Sequence, residues 1–330
     1  MLKFVDLFSG GGGSSAGYHM AGLKTAFAID SEYHCVQTYR ANFGDVIVHG
    51  DVSKLHSYAI LDRIGNERPF LVNASPPCEP YTTANSKRVK DPYMRMFDDP
   101  TGRLMIHAIR LIGDLEPEYY VIENVMGILE GENADLIADE FERLGYNRPY
   151  FNVIEAHEWG VPSRRTRVFI SNVKLKSPRL PLQTVRDAIG DLPPPQYPND
   201  YSWHEFIPVP SKHTHKVVGL TEGQGLVFFR GAKRDHKNFI RLSFDKVGEV
   251  VMGKSRFVHP TEDRLLTPRE HARLMTFPDS HKLVGSLEEV YDIVGEAVPS
   301  QVAFQIARQL LEHYGIKQEE IEANMSFSGK

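Results

Sequence analysis

The sequence of 330 residues has little cysteine, no long apolar run and no excess of positive charge. Its two cysteines, Cys35 and Cys78, are too few for a framework of several disulfide bonds or for a thiolate zinc site, so we predict no metal site and treat any cysteine chemistry as catalytic. No stretch approaches the ~20 apolar residues of a membrane span, and the first residues lack the basic start and apolar run of a signal peptide. These absences predict a cytoplasmic protein with no membrane partner.

The composition is that of a folded protein with ample material for a core. Hydrophobic residues make up 41% and charged residues 25% of the chain, which excludes disordered and fibrous classes. A net charge of −5 argues against indiscriminate coating of nucleic acid. Residues 212–246 nevertheless hold eight basic against three acidic side chains, which is either a local patch for a polyanion or an ordinary solvated surface.

Short apolar runs alternate with stretches of helix length through the first half of the chain. The strand-like runs are KFVDLF, TAFAID, VIV, PFLVNA and YYVIEN. This alternation predicts an α/β fold with a doubly wound, mostly parallel sheet. A proline-rich stretch follows Pro178, which places a domain boundary near residues 178–182, and helical patterns return at 267–275 and 299–314.

A glycine-rich turn follows the first predicted strand. The segment VDLFSGGGGSSAG places four glycines, Gly10 to Gly13, between a strand and a predicted helix, which suits a nucleotide-like cofactor but also a plain tight turn. Asp30 ends the next strand about 20 residues on, where a carboxylate can accept hydrogen bonds from ribose hydroxyls. Asp51 follows the third strand and either accepts from an adenine amino group or caps a helix.

A cysteine and a glutamate follow neighbouring strands of the predicted sheet. Cys78 stands after two prolines at the carboxyl end of the fourth strand, and a polar loop with four basic residues comes next. Glu123 lies at the carboxyl end of the fifth strand, so the two side chains face one cleft if the strands are adjacent. A buried structural cysteine is the plain alternative, but this setting favours a nucleophile beside an acid.

At this point the chain strongly resembles the cytosine-5 DNA methyltransferases. Eight motifs come in the family's order and span residues 4 to about 310, with only residues 182–263 unmatched: DLFSGGGG with AG at 21–22, AID ending at Asp30, GD at 50–51, SPPC at 75–78, ENV at 123–125, GVPSRRTRVFI at 160–170, RLLTPREHARLMTFP at 264–278 and VGEAVPSQVA at 294–303. The resemblance implies a catalytic domain of residues 1–181 and 287–330 that binds S-adenosylmethionine. It implies a small target-recognition domain of residues 182–286.

The family's functional residues carry over to positions of this sequence. Cys78 would attack carbon 6 of cytosine, and Glu123 would bond ring nitrogen 3 and the exocyclic amine. Arg165 and Arg167 match the two arginines of the Q-x-R-x-R motif, the first organising the site and the second contacting the base carbonyl. Nearby arginines would lower the pKa of the Cys78 thiol. The implied cofactor-binding set is Asp6, Phe8, Gly10, Gly12, Asp30, Asp51, Pro77, Leu104, Glu296 and Val298.

The implied substrate is a cytosine in double-stranded DNA. A base inside a duplex cannot reach a cysteine at a sheet edge, so it must be flipped out, and the loop 79–100 would close over it. Basic side chains of that loop and of residues 212–246 would meet phosphates. The predicted DNA contacts are Lys87, Arg88, Arg95, Lys233, Arg234 and Arg241. The resemblance further implies a monomer and, as a partner, a cognate restriction endonuclease.

The chain departs from the family pattern at three of these motifs. Glu79 follows the catalytic cysteine where the family usually has Gln, and Ser163 stands where Q-x-R-x-R begins with Gln. Glu296 replaces the Asn of G-N-A-V-P. These changes leave the Cys, Glu and Arg residues in place and affect loop closure, the electrostatics of the cofactor site and target reading.

Three rival functions come from other substrates or other classes. A tRNA cytosine-5 methyltransferase of the same fold also carries a Pro-Pro-Cys turn, and an assay on duplex DNA against tRNA separates the two. A nicotinamide-dependent oxidoreductase would use the glycine turn but leaves Cys78 and Glu123 unexplained. A catalytically silent DNA-binding protein would not need these two residues either.

Overall fold

The computed structural model of the chain describes residues 2–82, 85, 87–230 and 235–316. The strands are β1 (Lys3–Leu7), β2 (Lys24–Asp30), β3 (Ile47–His49), β4 (Leu71–Ala74), β5 (Tyr119–Asn124), β6 (Tyr150–Glu155), β7 (Thr166–Ser171), β8 (Leu226–Arg230), β9 (Asp235–Asn238), β10 (Ile240–Arg241) and β11 (Phe257–Val258). The α-helices are α1 (Gly13–Met20), α2 (Tyr33–Phe43), α3 (Ser57–Ile64), α4 (Pro92–Phe97), α5 (Leu104–Leu115), α6 (Asn133–Arg143), α7 (Val185–Ile189), α8 (Ser211–Val217), α9 (Pro268–Leu274), α10 (Leu287–Glu296) and α11 (Ser300–His313).

Within the described residues, seven strands form one central sheet in the order β3-β2-β1-β4-β5-β7-β6. Strands β1 to β5 run parallel, and β7 is antiparallel to both β5 and β6. The five predicted strands are all present, and the predicted α/β fold with a mostly parallel sheet is confirmed. The neighbours β4 and β5 pair directly, so the residues that follow them share one edge of the sheet.

Both faces of the sheet are covered, because successive residues of each buried strand point to opposite sides. On one side Val5 and Leu7 pack with residues of α3, α5 and α6. On the other side Phe4 packs with residues of α1 and α11. Helices on both faces make the sheet doubly wound, as the alternation of apolar runs predicts. The last helix of the described residues, α11, lies against α1 and thus returns the chain to the first half.

The chain between β7 and α10 lies outside this sheet and contains two small sheets, β8-β9 and β10-β11. Its apolar residues form a third core in which Val185, Leu242 and Leu266 pack with Ile293 of α10 and with Cys35 of α2. Across the part of the chain that the structure describes, no helix combines the length and the apolar character needed to cross a bilayer.

Candidate active site

The glycine-rich turn between β1 and α1 lies at the carboxyl edge of the sheet. Phe8 and Gly10 both adopt positive φ, 57° and 52°, and the Gly10 amide donates to Asp30 Oδ2 at 2.7 Å. A Cβ placed on Gly10 would meet nothing within 4 Å, so this glycine borders open space. The turn therefore offers an open cradle beside a carboxylate, which fits an adenosine-type cofactor.

The neighbouring glycines are required for a different reason, because the atoms around them leave no room for a side chain. A Cβ on Gly11 would lie 2.3 Å from Ile293 Cγ2 of α10, and one on Gly13 would lie 2.6 Å from the carbonyl oxygen of Val298. Gly12, with φ 87°, would direct a Cβ onto Phe43 at 2.5 Å. The run of four glycines is thus explained mainly by contacts with α2, α10 and the start of α11, and the predicted cofactor residue Val298 is buried behind the turn.

Three aspartates predicted for the cofactor differ in their surroundings. Asp30 is half-buried, and burial raises its pKa. Asp51 is exposed and accepts from the Ser53 amide at 2.8 Å, which confirms the alternative reading as a cap, here of a 3-10 turn.

Asp6 requires a correction. It is fully buried, with one carboxylate oxygen accepting from Ser15 Oγ at 2.6 Å and the other from Asn73 Nδ2 at 2.7 Å. Burial raises its pKa to about 6. Since Asp6 has no exposed surface, it supports the turn from behind rather than contacting a cofactor. Ser15 and Asn73 were not predicted, although polar residues among buried apolar ones are a signal that could have found them.

The remaining predicted cofactor residues surround the same edge. Pro77 is half-buried in the turn after β4, and Leu104 is half-buried at the start of α5. Glu296 ends α10 with its side chain open to solvent. The protein packed around that carboxyl raises its pKa, and the negative charges of Asp292 and Glu79 add to the effect. Among the described residues no cluster of three or more His, Cys, Asp or Glu is arranged to hold a metal ion.

Cys78 and Glu123 lie near each other, because β4 and β5 are adjacent and parallel, and the charge of Glu123 acts on the Cys78 thiol. The turn that presents Cys78 is tied to β5 by Asn124, whose side-chain amide donates to the Pro76 carbonyl at 3.1 Å. Cys78 is half-buried and Glu123 is buried. A thiol and a carboxyl group thus lie at the carboxyl ends of two adjacent strands.

The Glu123 carboxylate lies beside the guanidinium group of Arg167, but one of its oxygens has no hydrogen-bond partner within the described residues. Arg167 Nε, on β7, lies 3.1 Å from Glu123 Oε1, and β7 pairs with β5. This is an ion-pair distance, yet the N–H does not point at Oε1, which has no hydrogen-bond partner within the described residues. Buried polar atoms are normally satisfied, so this buried oxygen leaves the carboxylate with unused hydrogen-bonding capacity.

The pKa of the Cys78 thiol is raised, whereas the sequence analysis predicts that it is lowered. Burial raises its pKa, the negative charges of Glu79 and Glu123 raise it further, and Arg167 and Arg165 oppose them only in part. The prediction of a lowered pKa is therefore wrong for the free protein, because it counted the arginines and neither the burial nor the two carboxylates. The thiol is protonated at neutral pH and must lose its proton as it reacts.

Arg165 is buried and serves as a clamp. Its Nη1 donates to the carbonyls of Val251 at 3.1 Å and Gly295 at 3.0 Å, and Nη2 lies 3.5 Å from the Glu296 carbonyl. Burial, helped by Arg167, lowers its pKa to about 9, which leaves it charged at neutral pH. These contacts connect the residue before β7 to the end of α10 and to the Val251 segment.

Ser163, where the family has Gln, is also buried. Its hydroxyl donates to the Leu274 carbonyl at 2.9 Å, and its backbone forms a bridge with Gly248. The short side chain thus joins α9 to the segment before β7.

Two of the predicted DNA contacts are wrong. Arg95 is 3% exposed and donates to the carbonyls of Val89 and Lys90. Arg241 is 6% exposed and donates to carbonyls of the surrounding loops, including that of His259 at 2.9 Å, and pairs with Asp263. Both guanidinium groups stabilise their own loops. A charge count along the sequence cannot distinguish such buried arginines from exposed ones.

The other predicted DNA contacts have different positions. Lys87 is exposed in the loop after β4. Arg88 donates to the Tyr81 carbonyl and pairs with Glu130 at 2.8 Å, so a phosphate would have to compete with that carboxylate. Lys233 and Arg234 lie outside the described residues.

Comparisons with known proteins agree with this arrangement. A family model described as C-5 cytosine-specific DNA methylase matches residues 2–312. A predicted type II methyltransferase of Methanocaldococcus jannaschii, M.MjaORF1200P, is 37% identical, with 95% of this chain and 99% of that protein covered. Type II methyltransferase M1.HphI of Haemophilus parahaemolyticus is 31% identical, with 94% of this chain and 87% of that protein covered.

Two solved structures share the fold. A predicted DNA modification methyltransferase encoded within an E. coli prophage superposes with a TM-score of 0.76 at 22% identity, covering 94% of this chain and 99% of that one. The S. pombe Dnmt2 methyltransferase gives a TM-score of 0.68 at 19% identity, covering 95% and 99%. The sheet and its flanking helices are therefore those of a methyltransferase fold.

Proposed function

Because the chain belongs to the C-5 cytosine-specific DNA methylase family, we propose that it methylates carbon 5 of a cytosine flipped out of duplex DNA. The observation that carries the proposal is the juxtaposition of Cys78, Glu123 and Arg167 at the carboxyl edge of the sheet, where one buried oxygen of the Glu123 carboxylate has no hydrogen-bond partner within the described residues. An oxidoreductase or a silent DNA-binding protein has no use for this combination.

The proposed reaction starts at Cys78. Carbon 5 of cytosine is too weak a nucleophile to take a methyl group, but addition of the Cys78 sulfur to carbon 6 makes the ring an enamine-like species. As the S–C6 bond forms, the thiol gives its proton to solvent water and the C5=C6 electron pair becomes available at carbon 5. After methylation, transfer of the carbon 5 proton to solvent water restores the double bond and expels the cysteine sulfur.

Glu123 would act on the opposite side of the ring. A proton given to ring nitrogen 3 offsets the negative charge that builds there while Cys78 adds. The carboxyl would also bond the exocyclic amine. Arg167 holds Glu123 in place and would contact the base carbonyl, and Arg165 fixes the segments around them.

The cofactor would lie along the open side of the glycine turn. S-adenosylmethionine, when bound, supplies the methyl group. Phe8 and Gly10 would border it, and Asp30 and Asp51 would accept from its ribose and adenine. Pro77, Leu104, Glu296 and Val298 complete the proposed set, and Asp6 supports the turn.

We propose that residues 182–286 form the recognition domain and residues 1–181 and 287–330 the catalytic domain. Lys87 and Arg88 of the closing loop and Lys233 and Arg234 would meet phosphates. The type II names of the relatives favour a restriction-modification role. A cognate endonuclease as partner and a monomer as the active form are further parts of this proposal.

The proposal is tested by supplying purified protein and tritiated S-adenosylmethionine with duplex DNA or with tRNA. Label is expected in the DNA, at cytosines that bisulfite sequencing of the product then locates within one recurring sequence. Label in tRNA alone would replace the DNA substrate by RNA and keep the chemistry. Label in neither, with folded protein and cofactor bound, would overturn the proposal.

Glu296 is expected to favour the cofactor over its product. A carboxylate beside the cofactor attracts the positive sulfonium of S-adenosylmethionine and not neutral S-adenosylhomocysteine. Glu296→Gln should therefore narrow the ratio of the two affinities by about threefold to tenfold, since the group is partly screened by solvent. Its raised pKa means that a falling pH neutralises Glu296 earlier than an ordinary glutamate, so the wild-type ratio should narrow in acid.

Calorimetric titration with both molecules measures this ratio. Asp292→Asn is the matched control, because its carboxylate lies one turn earlier on α10 and is already paired with Lys254 at 2.8 Å. An unchanged ratio in Glu296→Gln, or an equal change in the control, would contradict the assignment.

A further inference from the structure

We call residues 278–285, which lie between α9 and α10, the strap. They connect the preceding part of the proposed recognition domain, residues 182–277 and here called the recognition segment, to the glycine turn. One of its sides is bonded to α2. The Thr38 hydroxyl donates to the Val284 carbonyl at 3.0 Å and accepts from the Val284 amide at 2.9 Å. The Asn42 side chain likewise donates to the Lys282 carbonyl and accepts from the Lys282 amide, both at 2.8 Å. Four hydrogen bonds thus fix the strap on the catalytic domain.

His281 extends from the strap to the glycine turn itself. Its Nε2 lies 2.9 Å from the Gly11 carbonyl oxygen, and the residue is 4% exposed. Burial lowers its pKa to about 4, so the ring is neutral at physiological pH. The Asn42 amide nitrogen is 3.3 Å from the same Nε2, but its two hydrogens already go to Thr38 and Lys282. Nε2 therefore carries the proton and donates it to Gly11.

The turn is consequently held from two sides. Asp30 accepts from the amide of Gly10, in the Ser9–Gly10 peptide, and His281 donates to the carbonyl of Gly11, in the Gly11–Gly12 peptide, so the peptides on both sides of the Gly10–Gly11 peptide are bonded. Gly11 also packs against Ile293, whereas Gly10 faces open space. The bond from His281 thus holds the packed side of the turn, directly after the glycine that borders the open cradle.

The other side of the strap is held by residues of the recognition segment. The Arg269 guanidinium, fully buried in α9, donates to the His281 carbonyl at 3.0 Å and to the Ser202 hydroxyl at 2.9 Å. The Trp203 indole donates to the Leu283 carbonyl at 2.8 Å. A shift of residues 202–203 would therefore displace the strap and the ring that holds Gly11.

We propose that His281 is a positioning residue for the cofactor turn and that the strap makes cofactor affinity depend on how the recognition segment is seated. This inference rests on the proposed use of the turn for S-adenosylmethionine. Coupling of this kind is reciprocal, so cofactor binding also steadies the strap contacts of Trp203 and Arg269.

The test compares the affinity of S-adenosylhomocysteine, measured by calorimetry, across matched variants. His281→Leu removes the donor and leaves the Gly11 carbonyl without it, and we expect binding about 5- to 50-fold weaker. His281→Gln should restore most of the loss, because the Gln amide nitrogen is the same number of bonds from the backbone as Nε2. In methyl-transfer assays His281→Leu should raise KM for the cofactor and leave kcat nearly unchanged.

Two further variants separate positioning from general weakening of the core. His271→Leu is the control, since His271 is equally buried and neither of its ring nitrogens has a partner within the described residues. It should leave the affinity unchanged. Trp203→Phe keeps a ring but loses the bond to Leu283, and it should weaken binding about threefold. In the double variant with His281→Leu, the fold loss of affinity should be smaller than the product of the two single losses.

The outcomes are distinguishable. Wild-type protein that binds no S-adenosylhomocysteine would overturn the proposed function and this inference with it. Binding by wild type with equal affinity in His281→Leu, or equal losses in His281→Leu and His271→Leu, would overturn the inference alone. If His281→Leu does not fold, failure of Trp203→Phe to weaken binding overturns the role of the strap, and failure of His281→Gln to bind overturns the role of the donor.

Discussion

Cys78→Ala is expected to lower methyl transfer by roughly 10⁴-fold or more, to the level of background. The alanine cannot add to carbon 6, so carbon 5 is never activated, and no other group among the described residues of the cleft can replace the sulfur. Binding of cofactor and DNA should survive, because the glycine turn, Glu123 and the recognition segment are untouched. The rate of transfer of the tritiated methyl group measures the loss of activity. Calorimetric titration with the cofactor measures whether cofactor binding survives.

Cys35→Ala is the matched control for this variant. Cys35 is buried in α2, and burial raises the pKa of its thiol, so it is not a rival nucleophile. Its replacement should leave the rate nearly unchanged. The raised pKa of Cys78 further predicts that the wild-type rate increases with pH above neutral as thiolate becomes available. Residual activity of a tenth or more in Cys78→Ala would refute the covalent mechanism.

Glu123→Gln is expected to slow methyl transfer by ~10²–10⁴-fold, the usual contribution of a positioned general acid. The glutamine keeps the shape of the carboxyl and can still hydrogen-bond the base, but it cannot give a proton to ring nitrogen 3. The loss should therefore fall on kcat, with DNA affinity changed by no more than about threefold. Single-turnover rates and DNA titrations on the same preparation separate the two.

Glu118→Gln makes the same chemical change at the opposite end of the same strand. Glu118 precedes β5 and pairs with Arg68 at 3.4 Å, away from the carboxyl edge of the sheet. It should transfer methyl groups at the wild-type rate. If Glu123→Gln weakened DNA binding and rate to the same degree, the carboxyl would be a binding group rather than an acid.

The parallel part of the sheet could be predicted because its strands are buried on both faces. Runs such as YYVIEN and LVNA consist mainly of apolar residues, which is the pattern of a strand covered on both faces, and all their residues are buried. The strand β6 was not predicted, since Tyr150 and Val153 are exposed and only Ile154 is buried, so its pattern carries little signal.

The proximity of Cys78 and Glu123 could be predicted from the strand order, because both residues lie at the carboxyl ends of strands that are neighbours in the sheet. The strand order does not show which side chains are buried or which charges surround a given group. The buried arginines Arg95 and Arg241 look like surface residues in a charge count, and Asp6 looks like a ligand-facing carboxylate. The raised pKa of Cys78 depends on Glu79 and on desolvation, neither of which a motif reveals.

His281 illustrates a contact that no local pattern encodes. It lies 270 residues from Gly11 along the chain, and only the packing of α2, α9 and α10 brings them together. The glycine run likewise looked like a ligand signal, whereas Gly11 and Gly13 are required mainly by Ile293 and Val298.

The most direct test of the central claim is covalent trapping on DNA that carries fluorine at carbon 5 of the target cytosine. If Cys78 adds to carbon 6 and release requires loss of the carbon 5 proton, the fluorinated base accepts the methyl group and cannot eliminate, because fluorine does not leave as a cation. Incubation with S-adenosylmethionine should give an adduct that resists denaturant, and peptide mapping should place it on Cys78 and not on Cys35. Absence of any adduct, from folded protein that methylates the unsubstituted duplex, would contradict the account.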